Sequence, residues 1–338
     1  MSGGINLAVI GATGAVGQEM LKILAERNFP LKNLLVAADP RETGQKLKFK
    51  DQELTVQTAS PEFFAQADVA LFAVESNISR NLAPVAMENK CLVIDNSNAF
   101  RMEEKVPLVV PEVNPEDIKL HQGLIASPNC STIIMAVAIN PIHQAAGIER
   151  IVVSTYQAVS GAGAAGIDEL TEAVAAYQGG SNIEPIIFQH PIAFNVIPHI
   201  DVFEANDYTR EEMKMVFETR KIMHADEMRI AATAVRVPVY RSHSEAISIE
   251  TRIPITPEEA RNILQNAPGI VVLDQPGENK YPMPLFTADS DDVFVGRIRK
   301  DISVDNGIVL WVAADQVRKG AATNTIQIAE YVVSHNLF

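Results

Sequence analysis

Cys130 stands in Ser127-Pro128-Asn129-Cys130-Ser131-Thr132, between an apolar approach (Leu124, Ile125, Ala126) and an apolar run over 133–139 that stops at Asn140-Pro141. The pattern predicts a strand end, a tight turn and a helix, with Cys130 at or just before the first helical turn. At that place, unpaired backbone N–H groups and the positive end of the helix dipole favour thiolate over thiol. A thiolate is a nucleophile able to attack a carbonyl. The competing use of a cysteine is as a small buried hydrophobe. The proline before the turn, the polar neighbours and the helix start weigh towards the nucleophile.

Other residues suited to chemistry are spread along the chain. Gly11, Ala12, Thr13, Gly14, Ala15, Val16 and Gly17 follow a short apolar strand (5–10) and precede helical periodicity over 18–27. A glycine turn between strand and helix lets a backbone approach a pyrophosphate at the helix N-terminus, so a dinucleotide site is expected. Near the end of the second strand, Arg41 could take a ribose 2′-phosphate, whereas Asp39 or Glu42 could accept from a free 2′-hydroxyl. Both acids are also placed to turn to solvent. Arg101 leaves the carboxyl end of a later strand and is a candidate anion clamp. Ser160 and Gly161 open a glycine-rich turn able to approach a ligand closely. Glu211 and Lys214 lie three apart on one helix face, where a surface pair is the ordinary expectation. Arg236 falls inside an apolar strand, which is costly unless it meets a partner or an anionic ligand. His243, read as part of a polar turn, could act as acid or base.

The elements that must position these groups read as α/β. Apolar strands at 5–10, 34–38, 69–74 and 92–95 suggest a parallel doubly wound sheet. Strands at 151–159, 228–240, 245–253, 293–298 and 308–313, with helices at 167–177, 209–223 and 257–265, suggest a second unit with a mixed sheet. Residues 178–207 read as an irregular excursion or subunit contact, and a closing amphipathic helix over 320–333 follows Asp315 and Gln316. Length and composition agree: 338 residues suit two domains, and 47% hydrophobic residues suffice for their cores. A net charge of −14 argues against a nucleic-acid surface. Two cysteines imply no disulfide framework and a reducing, cytoplasmic setting. The amino terminus has no basic n-region, no apolar run approaches the roughly 18 residues of a membrane span, and no CxxC-type metal pattern occurs.

Taken together these stretches resemble the aspartate-β-semialdehyde dehydrogenase family over nearly the whole chain. The resemblance is carried in order by GATGAVG, DNSNAFR, PLVVPEVN, SPNCST, STYQAVSGAG, EEMKMVFETRKI, RVPVYRSHSEA and ADQVRKGAATNTIQIAE. It implies a Rossmann-like dinucleotide domain (1–130, completed by 316–338) and an α+β catalytic and dimerisation domain with a mixed sheet (131–315). It implies Cys130 as the acyl-thioester nucleophile, Gln157 as the residue orienting the reacting carbonyl, and His243 as general acid/base. Arg236 would grip the substrate carboxylate and Glu211 its amine, while Arg101, Lys214 and Asn129 would hold phosphate. Thr13 to Val16, Arg41, Ser160, Gly161 and Gln316 would line the cofactor site.

The activity so implied is reductive dephosphorylation of L-aspartyl-4-phosphate with NADP, NAD being possible, in lysine (diaminopimelate), threonine and methionine biosynthesis. A homodimer or dimer of dimers is expected, with small-molecule substrates as the other partners. Asp39 and Glu42 stand where the family commonly has serine, Asn98 replaces another serine, and Arg241-Ser242 precede His243 where glycine is often found. Two alternatives are N-acetyl-γ-glutamyl-phosphate reductase, disfavoured by PNCST with Glu211, Lys214 and Arg236, and a non-catalytic relative acting in interactions, disfavoured by retention of Cys130, Gln157 and His243.

Overall fold

The structure is a computed structural model that describes residues 4–181 and 184–338; residues 1–3 of the amino terminus and 182–183 of the expected excursion lie outside the described residues. The chain divides into two compact units, Met1–Asn129 with Ala321–Phe338, and Cys130–Gly320.

In the first unit short apolar runs alternate with helices. They are β1 (Ile5–Ile10), α1 (Ala15–Glu26), β2 (Leu31–Ala37), the hairpin β3 (Lys46–Phe49) and β4 (Gln52–Thr55), α2 (Pro61–Phe64), β5 (Val69–Phe72), α3 (Ser76–Glu88), β6 (Leu92–Asp95) and β7 (Leu124–Ala126). Five of the strands form a parallel sheet in the order β2-β1-β5-β6-β7. Val69, Ala70, Leu71 and Phe72 are all buried, as a parallel sheet covered on both faces requires.

The second unit contains α4 (Cys130–Ala146), β8 (Ile148–Gln157), α5 (Ala164–Gln178), α6 (Arg210–Ile222), β9 (Arg229–Arg236), β10 (His243–Thr251), α7 (Pro257–Gln265), β11 (Ile270–Val272), α8 (Pro284–Thr287), β12 (Val293–Lys300) and β13 (Gly307–Ala314). Its mixed sheet has the order β11-β12-β13-β10-β8-β9, with β8/β9 and β11/β12 parallel and the other pairs antiparallel. Side chains alternate across this sheet. Ile247 pairs with Leu310 and Val153, and all three are buried; Ala246 pairs with Trp311 and Ser154, and that face is only partly covered. α4 is buried nearly all round from Ser131 to Asn140 and packs on the first face, which explains why it is apolar on every side. The helix runs through Pro141, where the sequence had suggested a stop.

A wide, π-type turn over Arg318–Thr323 leads to the closing helix α9 (Asn324–His335), whose Ile326, Ala329 and Val333 join Val9, Leu24 and Leu71 in the first unit's core. The sequence had placed the start of this helix earlier, at 320. Among the described residues, no helix is long and apolar enough to cross a membrane.

Candidate active site

In the second unit, one end of the mixed sheet collects the chemistry. β8 ends at Gln157 and β9 at Arg236, which are register partners, while β10 begins at His243 opposite Ala314 at the end of β13. By alternation these side chains share the face that α4 covers, and Cys130 is the first residue of α4. His243 is therefore the first residue of a central strand and fully buried, not part of a polar turn as its neighbours had suggested.

The tautomer of His243 follows from its partner. Nδ1 lies 3.1 Å from the backbone N–H of Ala158, which can only donate. Nδ1 must therefore accept, and the neutral ring carries its proton on Nε2. That Nε2 is buried and has no hydrogen-bond partner among the described residues. Burial, reinforced by the nearby Arg236 charge, holds the imidazole pKa well below 6.5, so the ring is neutral near pH 7.

Arg236 donates from Nη1 to the carbonyl of Ala158 at 2.7 Å and is 7% exposed. Burial lowers its pKa, while Glu211 and Cys130 act the other way, so a thiolate at Cys130 and the guanidinium favour each other. A Cβ on Gly161 would stand 2.7 Å from Arg236 Nη1 and 3.5 Å from His243 Nε2. Only a residue without a side chain leaves the Arg236 guanidinium in place there. Gly320 lies as close to the nucleophile, since its Cβ would fall 2.9 Å from that of Cys130.

Glu211 and Lys214 are no surface pair. Glu211 is 6% exposed, its Oε2 is 3.0 Å from Lys214 Nζ, and its Oε1 accepts from Gln157 Nε2 at 3.3 Å. Asp201 Oδ2 completes the group, 2.9 Å from Lys214 Nζ. Burial alone would lower the Lys214 pKa, but Glu211 and Asp201 outweigh it and the net shift is upward. Gln316 accepts at Oε1 from the Ser242 N–H at 2.9 Å and donates from Nε2 to Ser160 Oγ. This draws Ser160 and Gln316 together beside the His243 strand.

The first unit holds the expected dinucleotide features. Gly11 turns with φ +82°, and a Cβ there would meet the Ala73 carbonyl at 2.3 Å. Gly14 caps α1 without a side chain, so the first N–H groups of that helix face outward. Beside them lies a cavity of about 300 Å³ lined by Ile10, Gly11, Ala38, Asp39, Pro40 and Val74 among others. A mostly apolar cleft next to bare helix N–H groups fits an adenosine and its pyrophosphate.

The charged turn is arranged differently from expectation. Asp39, itself exposed, takes the likewise exposed Arg41 in a two-bonded fork, Nε to Oδ1 and Nη2 to Oδ2, both at 2.8 Å. The hydrogen bonds from Arg41 hold the Asp39 carboxyl well below the usual carboxylate range. Glu42 instead accepts from Thr13 Oγ1 at 2.9 Å. Arg101, 7% exposed, donates to the carbonyl of Asn96 at 2.9 Å, and Asn129 is equally buried just before α4.

Asp201, Gly320 and Phe188, whose ring lies over the Arg236 guanidinium, went unsingled in the sequence. Asp201 and Phe188 belong to the irregular stretch, where no periodicity marks a residue, and their partners are distant in the chain. Among the described residues, no group of three or more His, Cys, Asp or Glu side chains could hold a metal ion.

Comparison with known proteins agrees across the chain. The family described as "Semialdehyde dehydrogenase, NAD binding domain" matches residues 6–121, and "Semialdehyde dehydrogenase, dimerisation domain" matches 139–319. Aspartate-semialdehyde dehydrogenase of Aquifex aeolicus is 52% identical over 99% of both chains, and that of Bacillus subtilis 50% identical over the full length of both. A crystal structure of aspartate semialdehyde dehydrogenase II from Vibrio cholerae complexed with ASA is similar at TM-score 0.96, with 47% identity and all of both chains covered. The Candida albicans enzyme with NADP is similar at TM-score 0.79, with 26% identity over 99% of this chain and all of that one.

Proposed function

Since the chain belongs to the aspartate-semialdehyde dehydrogenase family and is thus an oxidoreductase, we propose that it interconverts L-aspartyl-4-phosphate and L-aspartate-4-semialdehyde through a thioester on Cys130. The observation that carries this reading is the meeting of Gln157, Arg236 and His243 on the sheet face covered by the helix that Cys130 begins.

In the reductive direction the Cys130 thiolate attacks the acyl carbon, the C–O bond to phosphate breaks, and phosphate leaves with the bonding pair. Arg236 and the α4 N-terminus stabilise that thiolate. A nicotinamide dinucleotide, when bound, would supply the hydride for reduction of the thioester. The tetrahedral oxyanion so formed on Cys130 would re-form its C=O bond, expel Sγ as thiolate and release the aldehyde. His243, with its proton on Nε2, acts as hydrogen-bond donor to the oxygen on which charge develops. Gln157 orients the carbonyl, and Arg236 and Glu211 take the carboxylate and amine of the amino-acid end. Lys214, Arg101 and Asn129 are the phosphate ligands. Because Lys214 already faces two carboxylates, phosphate must compete with Asp201 for it.

Gly11, Thr13, Gly14, Ala15, Val16 and Gly17 would hold the pyrophosphate, Arg41 and Glu42 the adenosine end, and Ser160, Gly161 and Gln316 the nicotinamide side. The cofactor proposed is NADP, favoured narrowly over NAD because Asp39 shares Arg41. The reaction would serve lysine, threonine and methionine biosynthesis in the cytoplasm, and the enzyme would work as a homodimer or dimer of dimers. Cys130→Ala should lower phosphate-dependent oxidation of the semialdehyde by roughly a thousandfold or more while the protein stays folded. Near-normal turnover in that variant, or preference of the parent for an N-acetylated glutamate semialdehyde, would overturn the reading.

A further inference from the structure

Among its described residues, the segment between α5 and α6 adds no strand to the mixed sheet, yet it holds one side of the Arg236 guanidinium. Glu169 is buried on α5, and its Oε2 accepts from the backbone N–H groups of Ile186 at 2.9 Å and Ile187 at 2.5 Å. Its Oε1 lies 3.5 Å from the N–H of Phe188. A carboxylate on consecutive N–H groups makes charge-assisted bonds, and these fix backbone that no sheet ladder holds. The stretch so fixed carries Phe188, whose ring centroid is 5.7 Å from the Arg236 guanidinium. The ring is buried among Val159, Leu170, Ile192 and Ile197. It fits there because α5 carries glycine at 166, where a Cβ would stand 3.1 Å from the ring's Cζ. Farther along the same segment, Ile197 exchanges both backbone hydrogen bonds with Arg236, at 2.9 and 2.8 Å.

A buried guanidinium must be compensated for lost hydration and still keep its charge for a ligand. The Glu211 carboxylate already acts on this charge, and a further carboxylate in direct contact would occupy the donors and offset the charge that a ligand needs. An aromatic face attracts the cation without consuming a donor nitrogen or neutralising the charge. We propose that Glu169 and Phe188 are positioning residues for Arg236: Glu169 anchors residues 186–188, and Phe188 holds the guanidinium flat and charged for the carboxylate of the amino-acid substrate. This rests on the assignment of Arg236 to that carboxylate.

The test is steady-state kinetics on the full-length enzyme with the semialdehyde and phosphate varied separately. Phe188→Leu should raise KM for the semialdehyde about tenfold, the upper part of what a desolvated cation–π contact supplies. It should leave kcat and KM for phosphate within about twofold, because the interaction serves ground state and transition state alike. Phe188→Tyr, which keeps the ring, should restore the parent KM, and Glu169→Gln should shift it in the same direction as Phe188→Leu but less. A merely structural role would move kcat, both KM values and the melting temperature together in Phe188→Leu, and that result overturns the proposal. Arg236→Lys separates the two layers. If it raises KM for the semialdehyde while Phe188→Leu and Glu169→Gln do not, the positioning role alone is wrong. If it leaves that KM unchanged, the assignment of Arg236 falls, and the proposal with it. Should Phe188→Leu fail to fold, an unchanged KM in Glu169→Gln decides against the proposal and a raised one supports it.

Discussion

A histidine buried with its Nδ1 committed to accepting a backbone hydrogen bond is a proton-binding site that folding closes. Protonating His243 would set an Nδ1–H against the Ala158 N–H, next to the Arg236 charge. The unfolded chain binds the proton below about pH 6.5 and the folded chain does not, so stability falls as pH drops below that value and is level above it. Glu245, two residues along β10 and wholly buried, works in the opposite sense because burial raises its pKa well above 4.5. Comparing parent with His243→Asn cancels that contribution. Below pH 6.5 the parent should lose stability faster than the variant by up to about 1.4 kcal/mol per pH unit, measured by denaturant titration. Parallel profiles would mean that His243 is protonated in the folded protein. The type of this residue was legible from its motif, but its burial was not. Arg241 and Ser242 read as a polar turn, yet Ser242 takes φ +73°, is buried, and donates its N–H to Gln316 just beyond the neighbouring strand β13.

At the scale of elements, long periodic stretches were readable and short or polar ones were not. α7 falls where Thr256, Pro257 and Glu259 place a capping box, and the parallel strands follow from their unbroken apolar runs. The β3–β4 hairpin was invisible because four-residue strands rich in Lys, Gln and Glu leave only Leu47, Phe49 and Leu54 to mark an inner face. α3 was missed because its inner face is made of Ser79, Ala83 and Ala86 and it carries Pro84 within it. The short turn Asp39–Glu42 shows how a few residues tune a whole element. Asp39 caps it by accepting the Arg41 backbone N–H and also grips the Arg41 side chain, so a ribose 2′-phosphate must share the guanidinium with a carboxylate. The parent should therefore prefer NADP over NAD by no more than about tenfold in kcat/KM. Asp39→Ser keeps a capping oxygen and frees Arg41, so the preference should widen severalfold, through a lower KM for NADP. A parent preference above about a hundredfold, unchanged by Asp39→Ser, would show that Asp39 does not govern the ribose site.

For the whole molecule, the mixed sheet poses a question that one chain does not answer. One face is sealed by α4 and its neighbours, and Ile247, Ile249, Leu310 and Val153 are all but inaccessible. The other presents Ala246, Ser248, Val309, Trp311, Ser154 and Val152 half-covered, with Tyr156 37% exposed and its ring 5.4 Å from that of Trp311. Weakly polar side chains over several central strands make an apolar surface that a monomer seldom leaves in water. These strands fall in the region matched by the dimerisation domain of the family. A net charge of −14 keeps the remaining surface mutually repulsive, so association should be confined to such a patch. Tyr156 sits at one end of this face, one residue before Gln157, so a subunit contact there would bear on the reacting end of β8. Tyr156→Asp should weaken self-association about a hundredfold or more, as burying an unpaired carboxylate in an interface core does. Sedimentation velocity at micromolar protein would then show a monomer where the parent sediments as a dimer or larger. Activity should fall with dilution in the variant but not in the parent, because β8 also carries Gln157. If Tyr156→Asp sediments as the parent does, this sheet face is not where the subunits meet.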